Sequence, residues 1–449
     1  MGRAEWLKQR YYRWRKYVPA RLLYHADYFR ILQLSGAPPH LLDAVIDERL
    51  RHVLQAAVRH VPFYRRSMRL SAAELAHEPA RELLARFPLI DKRTVMAQQR
   101  DFLDERFHPR WLIYTTSSGS TGEGIGMWRT KRLADIEKAF FAQAWSRFGF
   151  SFDKARYLRI GADAVRPGHE APTRVWGNRL LLSPYHLTDE HKSAIRDALN
   201  RFRPRFVHAY PSTVAALAHM LAPGELDFEV GAVLLGSEPV KAGQLGAIEK
   251  LFGCPISISY GLTERTNLAF AEGSGGVCSA YRFNRLYAVN ENRVNAHGAE
   301  IVGTSLWNDV MPLIRYRTGD YGTIGADGAC QAIDGREQDF LIDRNGRRIP
   351  GLTVIIDPDT WDFVRTWQIW QRRPGAITIA LVPRSGTLTP AQRQLVLARQ
   401  RERWGESFDI SVQAVPEVLP APGGKHRFVI SSVAPSRPAS AATSRPQMH

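Results

Sequence analysis

Cysteine is scarce. The three present, Cys254, Cys278 and Cys330, are odd in number and far apart in 449 residues, which excludes a disulfide framework and fits a reducing interior. Long apolar runs are missing too: no stretch of about 18 or more exists, so no membrane span is expected. The opening "MGRAEWLKQRYYRWRKYV" has no apolar signal core, being broken by charge throughout, and the expected location is the cytoplasm. Acidic residues fall short of basic ones, 44 against 61, for a net charge of +17. Part of the surplus lies in the first 70 residues, with 14 Lys/Arg against 5 Asp/Glu. Such a balance suits polyanions. The absence of a zinc finger, an RNP-like aromatic motif and a dense Lys/Arg block excludes sequence-specific nucleic-acid binding. The basic, aromatic opening segment has two readings: peripheral contact with a membrane surface, or a helix packed on the body of the protein.

A chain of 449 residues is long for one core, so more than one domain is expected. Residues 1–110 read as mostly helical; "LLDAVIDERLRHVLQAAVRHV" spaces apolar residues by three and four. From about Trp111 the pattern changes to apolar runs alternating with helices. "RFRPRFVHAYPSTVAALAHML" reads as a strand, a Pro-Ser turn and a helix capped by Ser212 or Thr213. "FEVGAVLLGSEPV" and "PISISYGLTE" are buried strands ending in small-residue turns. The repeat predicts an α/β fold: a large N-terminal domain with buried sheets flanked by helices, over 1–339. A small α+β domain over 340–432 follows from "GAITIALVP", "TPAQRQLVLARQRERWG" and "FDISVQAV". The Pro/Ser/Ala-rich end, 433–449, is expected to be disordered.

Against this background "YTTSSGSTGEGIG" stands out, because Thr116 to Gly122 is all Ser, Thr and Gly. Small side chains build no core, so the backbone itself is the useful part. Glycines allow close approach, and N–H groups with hydroxyls surround anionic oxygens; the plain alternative is a flexible linker. The lysine of the general phosphate-loop pattern is absent. Four further segments carry chemistry: "YGLTE" (Tyr260–Glu264), "RYRTGD" (Arg315–Asp320), "GREQD" (Gly335–Asp339) and "GGKHR" (Gly423–Arg427). The second of these is expected to end a strand in an acidic turn.

Together and in this order the segments resemble the adenylate-forming superfamily, the acyl- and aryl-CoA synthetases and their relatives. The chain is most similar to the phenylacetate–CoA ligase branch, with its capsule-biosynthesis and deazaflavin-adenylating relatives, over roughly residues 50–432. The resemblance implies that Ser117, Ser118, Gly119, Ser120, Thr121 and Gly122 wrap the β- and γ-phosphates of ATP. It implies that Thr263 touches the α-phosphate, and that Glu264 holds Mg²⁺, a hard cation suited to a carboxylate and phosphate oxygens. Tyr260 and Gly261, with the turn Gly236, Ser237 and Glu238, would enclose adenine. Asp320 would accept the ribose hydroxyls, Arg336 would contact ribose or phosphate, and Lys425 would bridge the acid and the α-phosphate during adenylation. Phe140, Phe141 and Trp145, with His208, Tyr210, Ser212 and Ser259, fall where relatives build the acyl pocket. Aromatic lining there points to an aryl or other planar acid.

Three departures are visible. Glu123-Gly124 follows the phosphate loop where relatives have small residues, Pro or Lys. Gln338 replaces a common Asp. Between the YGLTE and GREQD segments only Cys278, Cys330 and His297 are available, too few for the four ligands of the zinc site that some relatives carry. The implied activity is ATP- and Mg²⁺-dependent ligation of a carboxylic acid to CoA. Delivery to an amine, a hydroxyl or a carrier-protein thiol is the first alternative, and a non-catalytic nucleotide-binding scaffold the second.

Overall fold

The computed structural model describes residues 10–12, 14–116, 125–160, 171–187, 189–240, 242–295, 298–336, 340–346, 348–350, 363–404, 407–419 and 429–433. Ser117–Gly122, Glu123-Gly124, His297, Gln338, Lys425 and the tail from 434 therefore lie outside the described residues. The chain splits into two units, one running to Arg336 and one carrying the described residues from Phe340 onward.

The first unit opens with helices. The longest, Pro39–His60, buries Ile46, Leu50, Val53, Leu54 and Ala57, steps of four, three, one and three that form one stripe. Proline suits its first position, and Arg59 and His60 face the negative end of the helix dipole. Shorter helices are set by local caps. Ser71 and Glu74 make a reciprocal capping box, and Asp91 accepts the Thr94 N–H at 2.8 Å. The described part of the basic opening segment packs on the body of this unit. Arg15 Nε donates to Asp153 at 2.5 Å and Tyr24 OH to the same carboxylate at 2.6 Å, while the Arg179 guanidinium lies over the Tyr12 ring. Tyr11, Trp14 and Tyr17 stay exposed.

Past a hairpin of β1 (Ile113–Thr116) and β2 (Gly126–Arg129) comes the main sheet. Its parallel centre runs β8-β7-β6-β3-β5, from Ile256–Gly261 (β8), Ala232–Gly236 (β7), Phe206–Ala209 (β6), Tyr157–Ile160 (β3) and Arg179–Leu182 (β5). Antiparallel strands flank it: β4 (Thr173–Trp176) beyond β5, and β9 (Leu268–Ser274), β11 (Tyr281–Phe283) and β15 (Ala329–Cys330) beyond β8, with β10 (Val277–Cys278) on β9. The centre is buried on both faces, as the unbroken apolar runs predict. In β7, Val233 and Leu235 pack with Ile195, Leu217 and Ile248, residues of three helices on one face. Ala232 and Leu234 pack with Trp145, Phe150 and Phe206 on the other.

A second sheet, β12-β13-β14-β16, is antiparallel: Ala288–Asn295, Gly298–Ser305, Tyr316–Tyr321 and Asp334–Arg336. Here one expectation is corrected. "RTGD" does not end a strand; it bulges inside β14, where the register on β13 steps from Val302↔Arg317 to Glu300↔Tyr321. Gly319, at φ +73°, takes the left-handed conformation that this detour needs, and Asp320 is thereby buried.

In the second unit β17 (Phe340–Ile342) pairs with β18 (Arg348–Pro350). A four-stranded sheet, order β21-β20-β19-β22, uses Asp409–Ala414, Ala376–Pro383, Val364–Arg373 and Val429–Ser431. Its helix, Pro390–Trp404, starts at a capping box in which Thr389 and Gln392 exchange hydrogen bonds. Among the described residues no helix is long and apolar enough to cross a membrane.

The second sheet meets the first through the chain between β8 and β9. A Cβ on Gly303 of β13 would collide with the Thr266 carbonyl and the Asn267 side chain. Gly303→Ala is expected to cost about 1–3 kcal/mol, the usual range for overpacking a closed contact. Urea unfolding of the variant checks this, and an unchanged midpoint would show that the two backbones are free to separate.

Candidate active site

The ends of the parallel strands lie in register: Ala209 beside Leu235, and Gly236 beside Ser259. Ligands gather in the crevice beyond such carboxyl ends. Gly236 is required there by space, because a Cβ would strike Ser259 Oγ, whose hydroxyl donates to the Leu235 carbonyl at 2.9 Å. The next residue, Ser237, is exposed and sits at φ +69°, a strained conformation for a residue with a side chain.

Glu238 then reaches the neighbouring strand end. Its Oε2 accepts the Ser212 N–H at 3.2 Å, at the start of the helix Pro211–Met220. This corrects the expected cap. Pro211 takes the first helical position, so Tyr210 becomes the N-cap residue and makes no side-chain cap bond. Ser212 and Thr213 fall inside the first turn, where Thr213 Oγ1 donates back to the Tyr210 carbonyl. The carboxylate from the β7 turn does the work of a local hydroxyl, and a negative charge suits a helix N-terminus.

β8 ends in the motif residues. Tyr260 OH donates to Asp320 Oδ2 at 2.7 Å, and Tyr281 and Phe283 flank its ring edge-on. Asp320 is buried, its N–H donating to Thr318 Oγ1, and it stands opposite Arg336 in the β14–β16 pairing. Thus Tyr260, Asp320 and the Arg336 backbone come together.

Thr263 is half-buried beside Glu264, which is 4 % exposed. Glu264 Oε1 accepts Tyr316 OH at 2.8 Å, while Oε2 is buried and without a hydrogen-bond partner among the described residues. Such an orphaned carboxylate oxygen is costly to bury. Arg265, at φ +58°, turns the chain here; its Nη1 donates to the Leu133 carbonyl at 2.6 Å and its Nε lies 3.4 Å from Glu137 Oε2. Tyr287 OH donates to the same carboxylate oxygen. Asn267, buried behind Arg265, binds Asn290 of β12.

Of the acyl-pocket residues, Phe140 is fully buried against Tyr287 and Trp307, in the core. Trp145 is fully buried too, but bridges two others: its ring lies 4.8 Å from Phe141 and 5.1 Å from His208. Phe141 is half-buried, edge-on to Phe270. Burial, then the nearby Arg159 and Arg179, push the His208 pKa well below the usual imidazole value, so the ring stays neutral at pH 7. The Arg159 guanidinium also lies over the Tyr210 ring. No cluster of three or more His, Cys, Asp or Glu residues fit for a metal exists among the described residues. A cation at Glu264 would have to take most of its ligands from a bound molecule. Sequence reasoning passed over Tyr316, Arg265 and Arg129, although Tyr316 lies within the quoted "RYRTGD" and Arg265 directly follows "YGLTE".

No family model matches the chain. Among curated proteins it is similar to Protein CapK of Staphylococcus aureus, 22% identical over 341 residues, 72% of this chain and 75% of that protein. Two phenylacetate–coenzyme A ligases are also similar. That of Thermus thermophilus is 25% identical over 377 residues, covering 77% of this chain and 81% of that protein. That of Escherichia coli is 24% identical over 406 residues, covering 83% and 90%. Among solved structures, 2-hydroxyisobutyryl-CoA ligase in the postadenylation state, in complex with R3-HIB-AMP, aligns with a TM-score of 0.62. It covers 88% of this chain and 90% of that one at 17% identity, a likeness of fold.

The contact between Gly236 and Ser259 yields a two-step expectation. Gly236→Ala should destabilise by about 1–3 kcal/mol through the clash with Ser259 Oγ. Adding Ser259→Ala should restore most of that loss, since the colliding atom is gone. Equal denaturation midpoints for the single and double variants would place the strain elsewhere.

Proposed function

We propose that this chain, an AMP-forming ligase of the phenylacetate–CoA ligase-like branch of the adenylate-forming superfamily, activates an aryl or other planar carboxylic acid with ATP and passes the acyl group to CoA. The observation that carries the reading is Glu264, a nearly inaccessible carboxylate with one oxygen held by Tyr316 and the other buried without a donor among the described residues. That donor set fits Mg²⁺, which when bound neutralises phosphate charge. Glu264 is the residue that would hold it.

In the first half-reaction a carboxylate oxygen of the acid bonds to the α-phosphorus of ATP and pyrophosphate departs. In the second, the acceptor's sulfur bonds to the acyl carbon and AMP departs. The protein's part is positioning and charge stabilisation. Ser117–Gly122 surround the outer phosphates, and Thr263 donates to the α-phosphate. Tyr260 and Gly261 on one side, and Gly236, Ser237 and Glu238 on the other, enclose adenine; Glu238 holds that wall by capping the helix from Pro211. Asp320, oriented by Tyr260 OH, accepts from ribose, and Arg336 lies beside it in the strand pairing. Phe141, His208, Tyr210, Ser212 and Ser259 face the acid, and neutral His208 is suited to a hydrogen bond rather than to charge pairing. Lys425 bridges the acid and the α-phosphate. In a second reading the same adenylate is delivered to an amine, a hydroxyl or a carrier-protein thiol. A carboxylic-acid panel scored by ATP–pyrophosphate exchange, with and without CoA and with thioester detection, tests both. No exchange with any acid would end the ligase reading.

Three substitutions sharpen the test. Glu264→Gln removes the charge that the metal needs, so activity should shift to higher magnesium; a magnesium titration identical to wild type would sink the metal role. Asp320→Ala should raise the KM for ATP roughly 10- to 100-fold, as hydrogen bonds to a charged acceptor are lost. A lower melting temperature with an unaltered KM would instead mark Asp320 as structural. Lys425→Ala should slow adenylation about 10²–10³-fold while a supplied acyl-adenylate is still converted to thioester. Equal loss of both steps would refute that assignment.

A further inference from the structure

Arg129 ends β2, immediately before Thr130 caps the helix Lys131–Ser146. It is half-buried, its Nε is fully enclosed without a partner, and its guanidinium makes no hydrogen bond or ion pair among the described residues. Nearby carboxylates do not supply one. Glu137 is already engaged by Arg265 and Tyr287, and Glu264 by Tyr316. Burial first, then the like charge of Arg265, bring the Arg129 pKa down to about 10. It remains a cation at neutral pH, beside a second cation. A positive group held this way destabilises the empty protein.

We propose that Arg129 is a substrate-binding residue that pairs with an anionic oxygen group of the bound ligand, a carboxylate of the acid or a phosphate of the nucleotide. The inference rests on the ligase reading for the identity of those ligands. Behind it stand two buried polar atoms of opposite charge. Among the described residues Glu264 Oε2 has no donor and Arg129 Nε no acceptor, yet the two are not bonded to each other. A ligand that brings a cation to one and an anion to the other completes both. A planar guanidinium suits a carboxylate or phosphate through two parallel hydrogen bonds.

The test compares wild type with Arg129→Met and Arg129→Lys in the full chain. Without ligand, Arg129→Met should melt about 2–4 °C higher, since a buried like-charged neighbour is removed; an arginine with a structural role would lower the melting temperature. Calorimetric titrations then use ATP with magnesium, pyrophosphate, benzoate and terephthalate. Affinity for at least one should fall roughly 10- to 100-fold in Arg129→Met, with partial recovery in Arg129→Lys. Losses for ATP and pyrophosphate assign the pairing to phosphate. A loss for benzoate and terephthalate alike assigns it to the reacting carboxylate, and a loss for terephthalate alone to a second acid group. A lower melting temperature for Arg129→Met overturns the proposal. So does unchanged affinity for all four probes, or a wild-type protein that binds none of them. Probe binding that depends on Arg129, without pyrophosphate exchange for any acid, ends the ligase reading and leaves Arg129 as an anion site.

Discussion

Arg265 is the tie on which the site depends. Its backbone takes a left-handed turn directly after Glu264, and its side chain spans to the Leu133 carbonyl and to Glu137 on the helix Lys131–Ser146. A side-chain-bearing residue at positive φ costs about 1–3 kcal/mol, so it persists only where surrounding contacts over-determine it. Those contacts are present: Asn267 binds Asn290, and Gly303 admits the Thr266 carbonyl against the second sheet. Three elements of different origin therefore converge on one short stretch, Leu262–Asn267. Without the turn, Glu264 would follow the strand outward and lose Tyr316.

The placement of Tyr316 has an equally physical origin. Ile90 brackets it, accepting the Arg317 N–H and donating to the Arg315 carbonyl, so the helical N-terminal region sets one end of β14. The bulge at Gly319 sets the other and turns Asp320 to meet Tyr260. A single strand thus presents two anchors, one for each half of the β8 motif.

Much of the surrounding charge is neutralised inside the protein, as with Glu137, Arg265 and Tyr287. Glu264 Oε2 and Arg129 Nε have no partner among the described residues. Unsatisfied buried groups of opposite sign reduce the stability of the empty protein, and binding sites keep such groups because a ligand restores the balance. The overall surplus of 17 positive charges acts at longer range, drawing in anionic molecules without choosing among them.

The sequence by itself determined the α/β class, the buried strands, the helix stripes and the order of the motifs, because periodicity and composition are local properties. It misplaced the cap at Ser212 or Thr213 and the turn at Thr318–Asp320. In both cases a local rule yielded to a distant group, the Glu238 carboxylate in one and the β13 register in the other. Only the tertiary structure decided which side chains meet. Tyr260 and Asp320 are 60 residues apart, and Glu264 and Tyr316 are 52 apart. Arg129 carried no signal at all in the chain, since an arginine after a strand is ordinarily solvated. What distinguishes it is burial beside groups that already have partners, and burial is a property of the packed molecule.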